Sequence, residues 1–336
     1  MIICLQDDIL GVTSNGYADL QFAVKGNRMR EKDQLFTTKW EPDTLPAKAI
    51  ILIIHGISEH SGRYAPFARE LTEAGYIVYA YDQRGHGKTA ENAGMEGFAG
   101  QGGWNHMVHD VYDSVTSIKK ENPGLPLFIF GHSMGSFVLQ HYMHLYGDKQ
   151  GVQGFILSGP GGDTTFMLYF GRFLCWIMAL FKGKLYKSKF IHELTFKNFN
   201  ARCAETRTEF DWLTTNPLVV DEYIQDIYCG GTCTLNFYDD FFAGILEVQK
   251  KSNIRKIPKD IPILILSGQM DPVGHYGEIV TALRLRYQQA GIRDVTVKQY
   301  ENCRHELHNE TDRFQVLQDI IQWLSSKIGR NDIAHR

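Results

Sequence analysis

The pentapeptide Gly131-His132-Ser133-Met134-Gly135 lies between the apolar run Leu127-Phe128-Ile129-Phe130 and the apolar Phe137-Val138-Leu139, and it limits the fold more than any other feature of the chain. A serine on a sharp strand-to-helix turn is crowded by its neighbours. Glycines two before and two after let the backbone bend and lift the hydroxyl clear of the sheet. The five residues alone also suit an ordinary turn with a solvated serine. The strand before, the helix after and the residues that follow give them weight.

Three further segments fall where such a serine needs them. Ala49-Ile50-Ile51-Leu52-Ile53-Ile54 reads as a buried strand opening into His55-Gly56-Ile57-Ser58-Glu59-His60, a small-residue turn that can present a backbone N–H to an oxyanion. The N–H groups of Ile57 and Met134 are the expected pair. Ile263-Leu264-Ile265-Leu266-Ser267-Gly268 reads as a late parallel strand and delivers Asp271 just past its end, where catalytic groups gather in open α/β sheets. Val295-Thr296-Val297-Lys298-Gln299-Tyr300 alternates like a strand and is followed by His305. Ser133, Asp271 and His305 then follow the chain order of an α/β-hydrolase triad. Ser133 needs a base to take its proton, His305 has the pKa range to do so, and Asp271 would orient the imidazole.

Rivals for these roles are weaker. His308 lies further into the segment leading to the last helix and otherwise reads as a surface residue; His275 follows Asp271 too closely. Asp260 and Asp294 precede their strands, at the wrong end of the sheet. Asp82, with Arg84 and His86, reads as turn structure. Glu59 is placed to stabilise the first turn of the next helix, with substrate binding as the alternative. Cys303, two residues before His305, reads as an inert loop thiol.

With 336 residues, 43% hydrophobic and 22% charged, the chain can bury one large core with a modest insertion. A formal net charge of −3 supplies no basic field, so no nucleic-acid partner is expected. The six cysteines have no framework spacing and no secretory leader is recognisable, which reads as cytoplasmic and reduced. Cys229 and Cys233 could form half a metal site, but no second pair follows at a matching spacing, so no metal and no cofactor is expected.

Strands are expected near 49–55, 76–82, 127–131, 154–158, 263–267 and 295–300, with helices near 63–75, 103–121, 134–146, 275–290 and 311–328. Residues 17–40 read as an antiparallel pair at the sheet edge. The gap between strands 154–158 and 263–267 must carry its own structure. The expected organisation is a core over 1–159 and 256–336 with a helical cap inserted at 160–255. Within the insertion Phe166, Phe170, Phe173, Ile177 and Phe181 share one helical face, flanked by Tyr169, Trp176 and Leu180. That stretch reads as too short to cross a bilayer. Two readings stay open: a cap helix packed on the core, or a helix whose exposed face docks peripherally on a membrane or lines an acyl tunnel. Lys182, Lys184, Lys187 and Lys189 follow, either as a solvated surface or as an attraction for anionic headgroups.

On these residues the chain resembles the α/β-hydrolases of the monoacylglycerol lipase and lysophospholipase branch, the serine aminopeptidase S33 or "Hydrolase 4" group. The resemblance is carried by His55-Gly56, Glu59-His60-Ser61-Gly62-Arg63-Tyr64, Asp82 with Arg84-Gly85-His86-Gly87, Gly131-His132-Ser133-Met134-Gly135, Ser267-Gly268 with Asp271-Pro272, and Arg304-His305-Glu306. Asp211-Trp212-Leu213, Asp221-Glu222-Tyr223 and Cys229-Gly230 are similar to the cap segment of bacterial members. The resemblance implies a mostly parallel sheet of about eight strands with helices on both faces and a serine carboxylic ester hydrolase for monoacylglycerol or lysophospholipid. Its alternatives are an S33-type aminopeptidase, which needs an acidic pocket for the substrate amine, and a ligand-binding homologue without turnover. Dehalogenases and epoxide hydrolases are disfavoured because those relatives place an aspartate where Ser133 stands.

Overall fold

A computed structural model of the chain describes residues 35–328 apart from 44, 45, 163 and 204. Among the described residues, seven strands form one sheet: β1 (Thr37–Trp40), β2 (Ala49–Ile54), β3 (Tyr76–Tyr81), β4 (Leu127–His132), β5 (Gly154–Ser158), β6 (Ile263–Gly268) and β7 (Val295–Tyr300). Their order is β1-β3-β2-β4-β5-β6-β7, parallel throughout except for β1, which runs antiparallel to β3 with Thr37 opposite Tyr81. β1 is one half of the expected edge pair. Its partner over 17–34 lies outside the described residues.

The central strands are buried along their whole length, which is why they read as continuous apolar runs instead of alternating ones. The pleat divides those runs between two cores. Ile50, Leu52 and Ile54 of β2 point to one face, where they join Val108 and Val111 of α3 (Gly103–Glu121), Leu139 of α4 (Met134–Tyr146) and Leu283 of α10 (Glu278–Gln289). Ile51 and Ile53 point to the other, with Leu71 of α1 (Ala65–Glu73) and Ile320 and Leu324 of α11 (Arg313–Ile328). The short helix α2 (Gly87–Ala93) was not expected, being too brief for its periodicity to show.

Between β5 and β6 the chain forms α5 (Thr165–Lys182), α6 (Lys189–Phe196), α7 (Pro217–Gln225), α8 (Leu235–Gln249) and α9 (Lys251–Ile254). Polar side chains start most of them: Thr164, Ser188, Asn216 and Thr234 each accept a first-turn N–H. α8 is buried on several sides, and Phe237, Phe241 and Ile245 belong to the same core as α3 and α4. The insertion is therefore rooted in the sheet's own core. Residues 35–328 belong to one compact unit.

Candidate active site

Three loops at the carboxyl ends of β4, β6 and β7 bring the expected residues together. Ser133 follows β4 directly and holds φ 51° and ψ −120°, a conformation that costs a non-glycine residue roughly 1–3 kcal/mol. Its N–H donates to the Ser158 carbonyl (3.0 Å) and its carbonyl accepts from Ser136 N–H (2.9 Å), which pins the turn from both sides. The flanking glycines are required by close approach. A Cβ on Gly131 would stand 2.6 Å from the Gly135 carbonyl oxygen, and one on Gly135 would collide with the Ile54 carbonyl of the adjacent strand.

Asp271 lies three residues beyond β6 and is completely buried. One carboxylate oxygen accepts the Val273 N–H (2.8 Å); the other accepts His305 Nδ1–H (2.9 Å). With Nδ1 donating, His305 presents a bare Nε2, which is buried and has no protein partner. Burial alone would lower the pKa of this imidazole, but the Asp271 carboxylate outweighs it and the pKa is raised. His305 and Ser133 line the same cavity. Ile57 lines it as well, and Met134 supplies the first N–H of α4, one of the helix's unpaired donors.

Comparison with known proteins gives the family. A family model described as "Serine aminopeptidase, S33" (Hydrolase_4) matches residues 46–312. The chain belongs to the Hydrolase_4 family. It is 28% identical to "Monoglyceride lipase" of Homo sapiens over 321 residues, covering 93% of this chain and 92% of that one. It is 26% identical to "Monoacylglycerol lipase" of Mycolicibacterium smegmatis over 299 residues, covering 86% and 92%. Among solved structures it is similar to a thermostable carboxyl esterase from Bacillus coagulans in complex with glycerol, with a TM-score of 0.81, 30% identity, and coverage of 88% of this chain and 95% of that one. It is an α/β-hydrolase of the carboxylic ester hydrolase class.

The cavity of this Hydrolase_4 member measures about 460 Å³ and is walled by the rings of Phe196, Phe199, Phe210, Trp212 and Tyr223. Trp212 stands against His305 at 5.1 Å between ring centres. These rings come from α6, α7 and the stretch between them. No side chain of α5 lines the cavity, so the acyl-tunnel reading of that helix is corrected. α5 packs on α8 through Leu168, Gly171 and Cys175, and Arg172 pairs with Asp239 at 2.7 Å. Its opposite face is open, with Phe166 75% and Phe181 82% exposed. Spanning 18 residues, α5 is long and apolar enough to cross a membrane by length and composition, contrary to the reading of it as too short.

Several side chains behave differently from expectation. Glu59 holds the next helical turn through side chains instead of its N–H groups: one oxygen accepts from Gly56 N–H (2.5 Å) and from Tyr64 O–H (3.0 Å), and the other pairs with Arg63 at 2.8 Å. Arg63 also forks onto Glu306 (2.6 and 2.7 Å). That buried Glu59-Arg63-Glu306 bridge ties the turn after β2 to the His305 loop. Only the four-residue spacing of Glu59 and Arg63 hinted at it. His308 is buried, not superficial; it stacks on Tyr64 at 4.5 Å, and burial lowers its pKa to about 4. Cys303 is a core residue whose thiol burial pushes up to about 12. Asp82 performs the expected turn role, accepting from Ser61 N–H and Lys88 N–H (both 2.8 Å). Asp260 and Asp294 pair with Arg293 and Lys327, away from the site.

One ligand cluster went unforeseen. His60, Asp226 and Cys229 hold their donor atoms within 4.8 Å of one another. His60 Nδ1 accepts the Gly62 N–H (3.2 Å), so Nε2 carries the proton that it gives Asp226 (2.8 Å), and burial raises the Cys229 thiol pKa. The cluster is set up for hydrogen bonding. A metal would have to break that tautomer.

Proposed function

We propose that this hydrolase cleaves monoacylglycerol through an acyl-serine intermediate, with Ser133 as nucleophile, His305 as base and Asp271 as its orienting acid. The observation that carries the reading is the strained Ser133 facing, across one aromatic-walled cavity, a histidine whose pKa a buried aspartate raises. His305 Nε2 takes the hydroxyl proton as Ser133 Oγ attacks the ester carbonyl. The Ile57 and Met134 N–H groups hold the oxyanion. His305 then protonates the departing glycerol oxygen, and water repeats the sequence on the acyl-serine. The aromatic wall suits a single acyl chain, and the names of the human and mycobacterial relatives support the glycerol ester.

The family description also suggests an aminopeptidase. One observation weighs against it: the buried cavity carboxylates, Glu59 and Glu306, are both committed to Arg63, and the other two that line the cavity, Glu193 and Glu209, are exposed to solvent. We further read residues 160–255 as the cap, with the open face of α5 (Phe166, Phe170, Phe173 and Trp176) resting on a membrane surface beside Lys182 and Lys184. The cavity wall residue Phe190 is itself exposed, which lets the acyl chain enter from that surface.

The deciding experiment compares wild type and Ser133→Ala on matched monoacylglycerols, lysophosphatidylcholines and aminoacyl-arylamides. Monoacylglycerol turnover that drops by about 10⁶-fold in the variant is expected; turnover of arylamides alone would refute the reading. For the membrane contact, Phe170→Ser with Trp176→Ser should weaken co-sedimentation with anionic vesicles while hydrolysis of a short soluble ester persists. Unchanged sedimentation would refute it.

A further inference from the structure

The loop that carries His305 is tied to the insertion through a buried carboxylate of its own that the mechanism does not use. Glu310 is 1% exposed, and its carboxylate accepts from four donors. One oxygen accepts the N–H of Arg304, the residue immediately before His305. The other accepts the Thr215 N–H (2.9 Å), the Thr215 hydroxyl and the Thr214 hydroxyl (3.2 Å). Thr214 shares its hydroxyl with the Asn309 carbonyl (3.0 Å).

The same two segments meet along their backbones. His305 N–H donates to the Trp212 carbonyl (3.4 Å) and Glu306 N–H to the Leu213 carbonyl (2.7 Å). The Arg304 guanidinium reaches back to the carbonyls of Asp211 (2.6 Å) and Thr214 (3.1 Å). Trp212, held in this way, presses its ring on the imidazole. Phe196 and Phe199, which line the cavity, pack against that indole at 6.1 and 4.8 Å.

We propose that Glu310 is a positioning residue for His305: with Thr214 and Thr215 it clamps the loop of the base to segment 211–215 of the insertion. Asp271 holds the imidazole from the sheet side, through Nδ1. Glu310 ties its backbone to the insertion. An imidazole free to swing from Asp271 loses both its aim at Ser133 and the carboxylate that raises its pKa.

This proposal rests on His305 being the base, so its test includes a control for that reading. Glu310→Gln, Thr214→Val, Thr214→Ser and Ser133→Ala are assayed with p-nitrophenyl butyrate across pH, and thermal melting is recorded in parallel. Glu310→Gln sets an amide donor against N–H groups that needed an acceptor; Thr214→Val keeps the shape and removes the hydroxyl. For both we expect kcat to fall about tenfold or more with KM within about twofold. The acid limb of kcat should move to lower pH, since a loosened His305 loses the influence of Asp271 and protonates later. Thr214→Ser should recover most of the Thr214→Val loss.

A lowered melting point with wild-type kcat and an unmoved acid limb would overturn the clamp and leave Glu310 a stabilising residue only. Should Glu310→Gln fail to fold, the Thr214 pair decides by the same criteria. Turnover that is absent from the wild type or survives Ser133→Ala would overturn the catalytic reading itself, and the clamp with it. Ser133-dependent turnover with unaffected variants overturns the clamp alone.

Discussion

Replacing Arg63 with methionine should expose the electrostatics of the whole site. Arg63 pairs with two carboxylates whose side chains are 3% and 2% exposed, Glu59 and Glu306. Burial raises the pKa of Glu306, but Arg63 outweighs it, together with a hydrogen bond from Asn309, and brings it from 4.5 down to about 2. A displacement of that size is worth roughly 3 kcal/mol. Because the folded pKa lies below the unfolded one, the contribution is fully present above about pH 4.5 and is lost as the pH falls towards about 2.

Arg63→Met reverses the sign for Glu306. Its pKa then rises above the unfolded value, so the variant regains stability as acid protonates the stranded carboxylates. We expect a loss of about 3–5 kcal/mol at neutral pH, the usual consequence of unpairing a buried charge, shrinking to about half near pH 4.5. Urea unfolding at several pH values, with the slope m checked for constancy, measures it. A loss under about 1 kcal/mol, or one that does not change with pH, would show that water reaches these groups and that the bridge is not the buried unit described above.

Asp271→Asn should lower kcat by about 10⁴-fold, because the amide no longer selects the Nδ1–H tautomer, and should move the acid limb of the pH profile downward; a profile identical to wild type would remove Asp271 from the site. Gly135→Ala should cost at least about 3 kcal/mol or prevent folding, since its methyl meets the Ile54 carbonyl within the sheet. A variant with near wild-type melting would contradict that packing.

The parallel strands were legible because a strand covered on both faces must be apolar throughout, and Ala49–Ile54, Leu127–His132 and Ile263–Gly268 start just after Lys48, Pro126 and Pro262 and end within two residues of Gly56, Gly131 and Gly268. Ser133, Asp271 and His305 were legible because each lies within five residues of a strand's carboxyl end. The environment of the base was not. Glu310 and Thr214 are 96 positions apart and form no pattern in the sequence; their meeting depends on how the insertion folds back. The open face of α5 and its buried face are both apolar, so periodicity could place the helix but not say which side packs on α8. His308 looked superficial because a short loop between strand and helix usually is, whereas here the loop dips under Tyr64.

The backbone pairing of Trp212 and Leu213 with His305 and Glu306 bears on how this enzyme could be re-engineered. Exchanging specificity between hydrolases by grafting one insertion onto another core treats the two joints after β5 and before β6 as the only seams. Here a third seam runs through the middle of the transplanted piece. A donor segment that lacks Thr214 and Thr215, or an acceptor that lacks Glu310, would deliver a well-formed binding wall to a base left out of register. The practical junctions lie on either side of 211–215, which should travel with the core.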